Sequence, residues 1–250
     1  MRSCGFTVQA YQFPAWPRGA AMTCGGDPAE VPGRLVVAVT ELPAPGPDCG
    51  TAAPQSIRYR QSSTARALAC AAAARLSGCL PGEFQVGGGG DTCPSLAVSP
   101  RGAGDILISL THSGRWVAAA AGRGLTGLGI DIQETRPGPV EELVRFMGWT
   151  AFLAAPVDPA HFTHLWTVWE AAVKCDGAAL LAKATPTFSR LAPRWVPGRE
   201  RSWSTDGHRA MTGQVAPGNW LTVVANGHRR SLPRVEILRI PTTATPARRV

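Results

Sequence analysis

The sequence predicts a fold that mixes helices and strands, with the order strand, helix, strands met once in each half of the chain. Three observations predict it. Short apolar runs of strand length recur at 35–40, 105–111, 116–121, 127–132, 220–225 and 235–240. Two longer stretches, 62–77 and 159–176, carry helix-spaced apolar residues with stop signals behind them. The 250 residues suit one large domain or two of roughly 125 residues, and either can bury a core.

Taken in order, 14–34 and 43–55 are rich in Pro and Gly and read as loops, with the buried strand LVVAVT (35–40) between them. Residues 62–77 are Ala-rich with Leu68 and Leu76 in helical register, and Gly78 ends them. Gly87 to Gly90 form a flexible break that lacks the Gly-Lys-Ser/Thr of a nucleotide P-loop. DILISLT (105–111) and WVAAAA (116–121) flank a tight turn at His112-Ser113-Gly114, and GLGIDI (127–132) follows. Gly122, Gly124 and Gly127 spell G-x-G-x-x-G, but they open a strand where a dinucleotide fingerprint must open a helix. Residues 139–154 read as an amphipathic helix. Asp158-Pro159 is an N-cap followed by Pro at the first helical position, and Gly177 stops that helix. Residues 190–202 read as a Pro/Arg-rich loop. Strands at 220–225 and 235–240 surround a turn at Asn226-Gly227, and 241–250 form a frayed tail.

Composition narrows the function classes. Hydrophobic residues are 44% and charged residues 17%, so the chain is neither disordered nor a charged coiled coil. No run of 18 uncharged apolar residues spans a membrane, and the N-terminus does not read as a secretion signal, so a cytoplasmic location is expected. The seven cysteines include no C-x-x-C, which points to reduced thiols and no structural zinc. The formal charge of +8 allows an acidic partner. Nucleic acid is not favoured, because the arginines are scattered and no nucleic-acid motif is present. Of the 25 basic residues only Lys174 and Lys183 are lysines, in a chain whose Arg, Ala, Gly and Pro content looks like the bias of a GC-rich genome.

Five residues carry possible chemistry. Glu170 and Lys174 lie i,i+4 on one face of an apolar helix. Asp131 sits in an apolar strand, where a carboxylate is costly unless paired or metal-bound. His112 occupies a tight turn, and Arg66 lies on the Ala-rich helix. Singly, each has an ordinary reading: a surface ion pair, a strand-end aspartate bonded to backbone, an exposed turn histidine. Together, two carboxylates suit one Mg²⁺, and His, Arg and Lys suit phosphates, which is equipment for phosphoryl transfer. His161 and His164 are read as structural rather than as a metal pair, and Trp116, Trp166 and Trp220 as core.

The segments Thr111-His112-Ser113-Gly114-Arg115-Trp116-Val117, Gly129-Ile130-Asp131-Ile132 and Leu165-Trp166-Thr167-(x)₂-Glu170-Ala171-(x)₂-Lys174 resemble, in this order, motifs of the 4′-phosphopantetheinyl transferases of the long, surfactin-synthetase-activating (Sfp-like) type. The resemblance covers roughly 58–180. It implies an α+β fold of two similar halves related by pseudo-twofold symmetry, 1–125 and 126–240, with the cleft between them. It implies a cytoplasmic monomeric enzyme that moves the phosphopantetheine arm of coenzyme A onto a serine of an acidic acyl, polyketide or peptidyl carrier protein and releases adenosine 3′,5′-bisphosphate. By the same resemblance Asp131 and Glu170 bind Mg²⁺, with Gln133 as a third, uncharged ligand. Glu170 deprotonates the serine, Lys174 neutralises the pyrophosphate, and Arg66 and His112 hold coenzyme A phosphates with Thr111 beside them.

The sequence departs from the family pattern at three places. Trp169 stands where Lys is usual before the glutamate, Gln133 where a second acid is common, and Thr92-Cys93-Pro94 where Gly-Lys-Pro often occurs. These departures motivate the alternative of a non-catalytic relative that binds coenzyme A or carrier protein.

Overall fold

The computed structural model describes residues 9–10, 34–44, 54–89, 92–98, 105–178, 185–205, 207–227 and 234–240. Of the expected loops 14–34 and 43–55, residues 14–33 and 45–53 lie outside the described residues, as do the tail 241–250 and Lys183, while Arg34 belongs to a strand and 54–55 to a helix.

The strands are β1 (Gln9–Ala10), β2 (Arg34–Glu41), β3 (Gln85–Gly89), β4 (Thr92–Val98), β5 (Ile106–Ser113), β6 (Trp116–Arg123), β7 (Gly127–Glu134), β8 (Arg201–Thr205), β9 (His208–Ala216), β10 (Asn219–Asn226) and β11 (Arg234–Arg239). The helices are α1 (Pro54–Ser77), α2 (Glu141–Met147), α3 (Pro159–Cys175) and α4 (Pro186–Leu191). They form separate sheets ordered β1-β11-β2-β6-β5 and β7-β10-β9-β8, plus the hairpin β3-β4, which makes the fold α+β. One path runs twice. β2, α1 and the hairpin β5-β6 give the order β2-β6-β5; β7, α3 and the hairpin β9-β10 give β7-β10-β9.

The two-residue period of the strands builds the layers. Val36 and Ala38 of β2 and Val117, Ala119 and Ala121 of β6 face Leu68, Ala69 and Ala72 of α1. Their neighbours Val37, Val39, Ala118 and Ala120 face the other way, onto Leu128, Ile130 and Ile132 of β7 and Leu221 and Val223 of β10. The far side of the second sheet carries α3 through Leu165, Val168, Ala171 and Ala172. The order is helix, sheet, sheet, helix. Each large aliphatic side chain sealed in these layers contributes about 1.5–3 kcal/mol.

Several expectations are corrected. α1 begins at Pro54, eight residues before the expected start at 62. Gly87 to Gly89 lie in strand β3 rather than in a break. The expected helix 139–154 is cut at Gly148, whose φ of 73° is left-handed, so α2 is short and a 3₁₀ turn, Trp149–Ala151, follows. The expected loop 190–202 contains the end of α4 and the start of β8, and strand β9 was not expected at all. β10 and β11 do not form a hairpin around Asn226-Gly227. β11 runs parallel beside β2 in the first sheet, so a strand counted with the second half in sequence completes the sheet of the first.

Candidate functional site

β7 enters the site as the edge strand of its sheet, paired through β10 on one side only. Its other edge meets β5 of the first sheet through side chains. Ser109, Thr111 and Ser113 alternate along β5, and their hydroxyls accept the N–H groups of Ile130, Ile132 and Glu134 at 3.1, 3.2 and 3.3 Å. Backbone donors that would otherwise stand unpaired at a sheet edge are thereby satisfied.

Asp131 points to the α3 side of β7, opposite to Ile130 and Ile132, and is 1% exposed. One carboxylate oxygen, Oδ1, accepts from Thr111 Oγ1 at 2.9 Å and from Lys174 Nζ at 2.9 Å. The other, Oδ2, accepts from Gln133 Nε2 at 3.2 Å. Burial pushes the Asp131 carboxyl up to about 7, against the pull of the Lys174 ammonium. Lys174 also donates to Ile130 O at 3.1 Å and stands 3.2 Å from Glu170 Oε1. Burial alone would lower its pKa, but Asp131 and Glu170 together raise it, so it is held as an ammonium.

Glu170 completes the group. Its Oε2 accepts from Gln133 Nε2 at 3.3 Å and from the Trp166 indole N–H at 3.0 Å. The Gln133 amide therefore bridges both carboxylates, and Ser113 Oγ donates to its Oε1 at 3.3 Å. α3 can bring Glu170 and Lys174 this close because Gly129 of β7 has no side chain: a Cβ there would lie 1.8 Å from Ala171 O. Asp158 starts the helix as expected, accepting from Ala160 N at 2.8 Å.

Asp131, Gln133, Glu170, Lys174 and Thr111 thus form one connected network centred on Asp131. His112, expected in the turn, lies in β5 opposite Val117, and its side chain is exposed beside them. Partial burial of its ring, then the charges of Lys174 and Arg58, hold its pKa below the ordinary value. Arg66 is directed elsewhere, its guanidinium donating to Val86 O at 2.9 Å and Gly88 O at 2.6 Å of β3. Trp169 is 4% exposed in an aromatic cluster behind the site, its ring 4.8 Å from Trp166 and 6.0 Å from Trp149. Trp166, expected as core, is half-buried and belongs to the site. Trp116 and Trp220 are buried as expected. His164 is fully buried while His161 stands half-buried near Asp158, and no group of three or more His, Cys, Asp or Glu is placed to hold a metal ion among the described residues.

Two proteins of Bacillus subtilis share sequence with this chain. Over 81 residues it is 36% identical to 4′-phosphopantetheinyl transferase Sfp of strain 168, and 30% identical to a second 4′-phosphopantetheinyl transferase. The chain resembles the Sfp-type 4′-phosphopantetheinyl transferases. The matched stretch is 30% of this chain and 35% of each Sfp-type relative, so it spans about a third of the relatives' length. No family model matches the chain.

Sequence reasoning gave Ser113 no role and read Trp166 as core. Ser113 had a signal, since it alternates with Ser109 and Thr111 in a strand facing another strand's edge. Trp166 had one too, lying four residues before Glu170 on the same helical face.

Proposed function

We propose that this protein is an enzyme that transfers the 4′-phosphopantetheine arm of coenzyme A to a serine hydroxyl of a carrier protein. The convergence of Asp131, Glu170 and Lys174 supports it most, because motifs distant in sequence meet at one point with the charges phosphoryl transfer requires. In this reading the serine oxygen forms a bond to the phosphorus that bears the pantetheine arm. The phosphoanhydride bond breaks, and adenosine 3′,5′-bisphosphate leaves with the electron pair. Glu170 takes the serine proton, directly or through water. Lys174 offsets charge on the pyrophosphate, and the exposed His112 stands beside it.

The donor set fits Mg²⁺. Asp131 Oδ2 and Glu170 Oε2 lie 3.2 and 3.3 Å from one amide nitrogen, so two hard oxygen donors are aimed at a shared point. Asp131 and Glu170 would hold the ion, and the Gln133 amide, whose Nε2 faces both carboxylates while its Oε1 accepts from Ser113 Oγ, would turn over to offer its carbonyl oxygen as an uncharged third ligand. Bound there, the ion would neutralise developing charge on the leaving group. Coenzyme A in a cleft between pseudo-twofold halves belongs to the same proposal, and the path run twice by the chain supports it. The net charge of +8 would speed encounter with an acidic carrier protein. The Trp169 ring packs into the core, so it does not obstruct the site.

The test is the intact mass of an apo carrier protein after incubation with this protein, coenzyme A and Mg²⁺. A gain of one phosphopantetheine arm, lost in Glu170→Gln, is the expected result. A second reading, a relative that binds coenzyme A without transferring its arm, is favoured by the Gln133 amide that ties the two carboxylates together. Retained coenzyme A binding with no mass gain on any carrier protein would establish it.

A further inference from the structure

Thr111 has one hydroxyl hydrogen to give. That hydrogen goes to Asp131 Oδ1 at 2.9 Å, and a lone pair of the same oxygen takes the Ile132 N–H at 3.2 Å. Nothing remains to donate to a phosphate, which only accepts. Thr111 is 6% exposed, so its hydroxyl faces the protein interior. Two residues along β5, Ser113 repeats the arrangement. Its oxygen accepts the Glu134 N–H and its hydrogen goes to Gln133 Oε1. Ser109 supplies the same acceptor to Ile130 N but meets no site side chain in this way.

We propose that Thr111 and Ser113 are positioning residues rather than coenzyme A ligands: the hydroxyls of β5 close the edge of β7 and, with the same oxygen atoms, aim Asp131 and Gln133 into the site. This rests on the reading of Asp131 and Glu170 as cation ligands. It follows from the two-residue period of both strands. Alternate β7 residues offer N–H groups toward β5, and the side chains next to those groups are the ones that need fixed rotamers. Without Thr111 the Asp131 carboxylate would keep the Lys174 ammonium and the longer Gln133 contact, and could swing more freely about its torsions; the Thr111 hydrogen bond restricts that freedom before an ion arrives. Partners of this kind change metal affinity about 10–100-fold when removed.

The test compares Thr111→Val, Thr111→Ser and Ser109→Ala with wild type, using Mn²⁺ binding by electron paramagnetic resonance, coenzyme A binding by calorimetry in EDTA, and thermal melting. Thr111→Val is expected to weaken Mn²⁺ binding about tenfold or more, with coenzyme A affinity in EDTA within about twofold of wild type. Thr111→Ser should restore Mn²⁺ affinity. Ser109→Ala removes a comparable acceptor from β7, so it should lower the melting temperature while Mn²⁺ affinity stays at the wild-type value. Thr111→Val that loses coenzyme A affinity in EDTA, or that binds Mn²⁺ like wild type, overturns the proposal. An equal Mn²⁺ loss in Ser109→Ala also overturns it, because the effect would then be general loosening of β7. If Thr111→Val does not fold, Ser113→Ala takes its place, with a Mn²⁺ affinity equal to wild type as the overturning result. Wild type that binds no Mn²⁺ would overturn both this inference and the metal reading it rests on. Wild type that binds it while the variants match overturns the positioning role alone.

Discussion

Gly129 sits where the backbone of α3 presses on β7. A methyl group there would meet Ala171 O at 1.8 Å and Cys175 N at 2.7 Å. Both are backbone atoms, so no rotamer change relieves the clash and the helix itself must move. Gly129→Ala is expected to lower stability by at least about 1–3 kcal/mol, the usual range for overpacking. It should also separate Lys174 from Asp131 and Ile130 O, weakening Mn²⁺ binding. Urea unfolding and Mn²⁺ titration check this; a variant as stable as wild type with an unchanged cation site would refute it. At this scale the sequence made Asp131, Glu170 and Lys174 legible, because a carboxylate in an apolar strand and a lysine in an arginine-rich chain both break a pattern. The need for glycine at 129 was not legible. A strand glycine has many causes, and this one is a helix backbone more than forty residues away.

α3 serves two faces at once. Trp166, Glu170 and Lys174 share the face turned to the site, while Leu165, Val168 and Ala172 pack inward. Thr167 anchors the helix to the second sheet through Thr222 Oγ1 at 2.8 Å, and Thr222 reaches Thr212 Oγ1 at 2.9 Å. His164 lies on the buried side, stacked on Trp220 at 3.9 Å with the rings 5° apart, and neither ring nitrogen has a hydrogen-bond partner. Burial, then the nearby His161, lowers its pKa to about 3. In the unfolded chain it titrates near 6.5. Between these values the unfolded state binds the extra proton, so stability rises with pH and is lost as pH falls below about 6.5. The slope approaches about 1.4 kcal/mol per pH unit, or roughly 2–3 kcal/mol by pH 4.5. His164→Phe keeps an aromatic stack and should flatten that part of the acid limb in denaturant melts across pH 4 to 8. An unchanged pH profile would show that His164 is protonated in the native state. The limits of α3 were readable from Asp158, Pro159 and Gly177, whose chemistry is local. Which of its faces is buried was less so, because apolar residues run almost all round it.

The chain crosses back at its end. β11 adds to the free edge of β2, Leu238 and Ile240 enter the core beneath α1, Ile240 N donates to Val39 O, and Arg75 pairs with Glu236. A chain cut after residue 233 would lose these contacts and expose the hydrogen-bonding edge of β2. The two aliphatic side chains alone contribute about 3–6 kcal/mol. Such a truncation is therefore expected to melt far lower than the full chain and to aggregate, as read by circular dichroism and size-exclusion chromatography. A truncated chain that melts with the full one would show that β11 is dispensable. The sequence by itself determined the strands with clean apolar runs, the caps of α3, the repeated order of strand, helix, strands, and the residue types of the site. These are local properties: a two-residue or 3.6-residue period, a cap, or a charge in apolar surroundings is complete within a short window. Only the tertiary structure decided that β11 belongs to the first sheet, that Arg66 bonds to β3, that Trp169 points into the core, and that β5 hydroxyls hold Asp131 and Gln133. Each of these depends on which surfaces meet across long sequence separations, and no local pattern records that pairing.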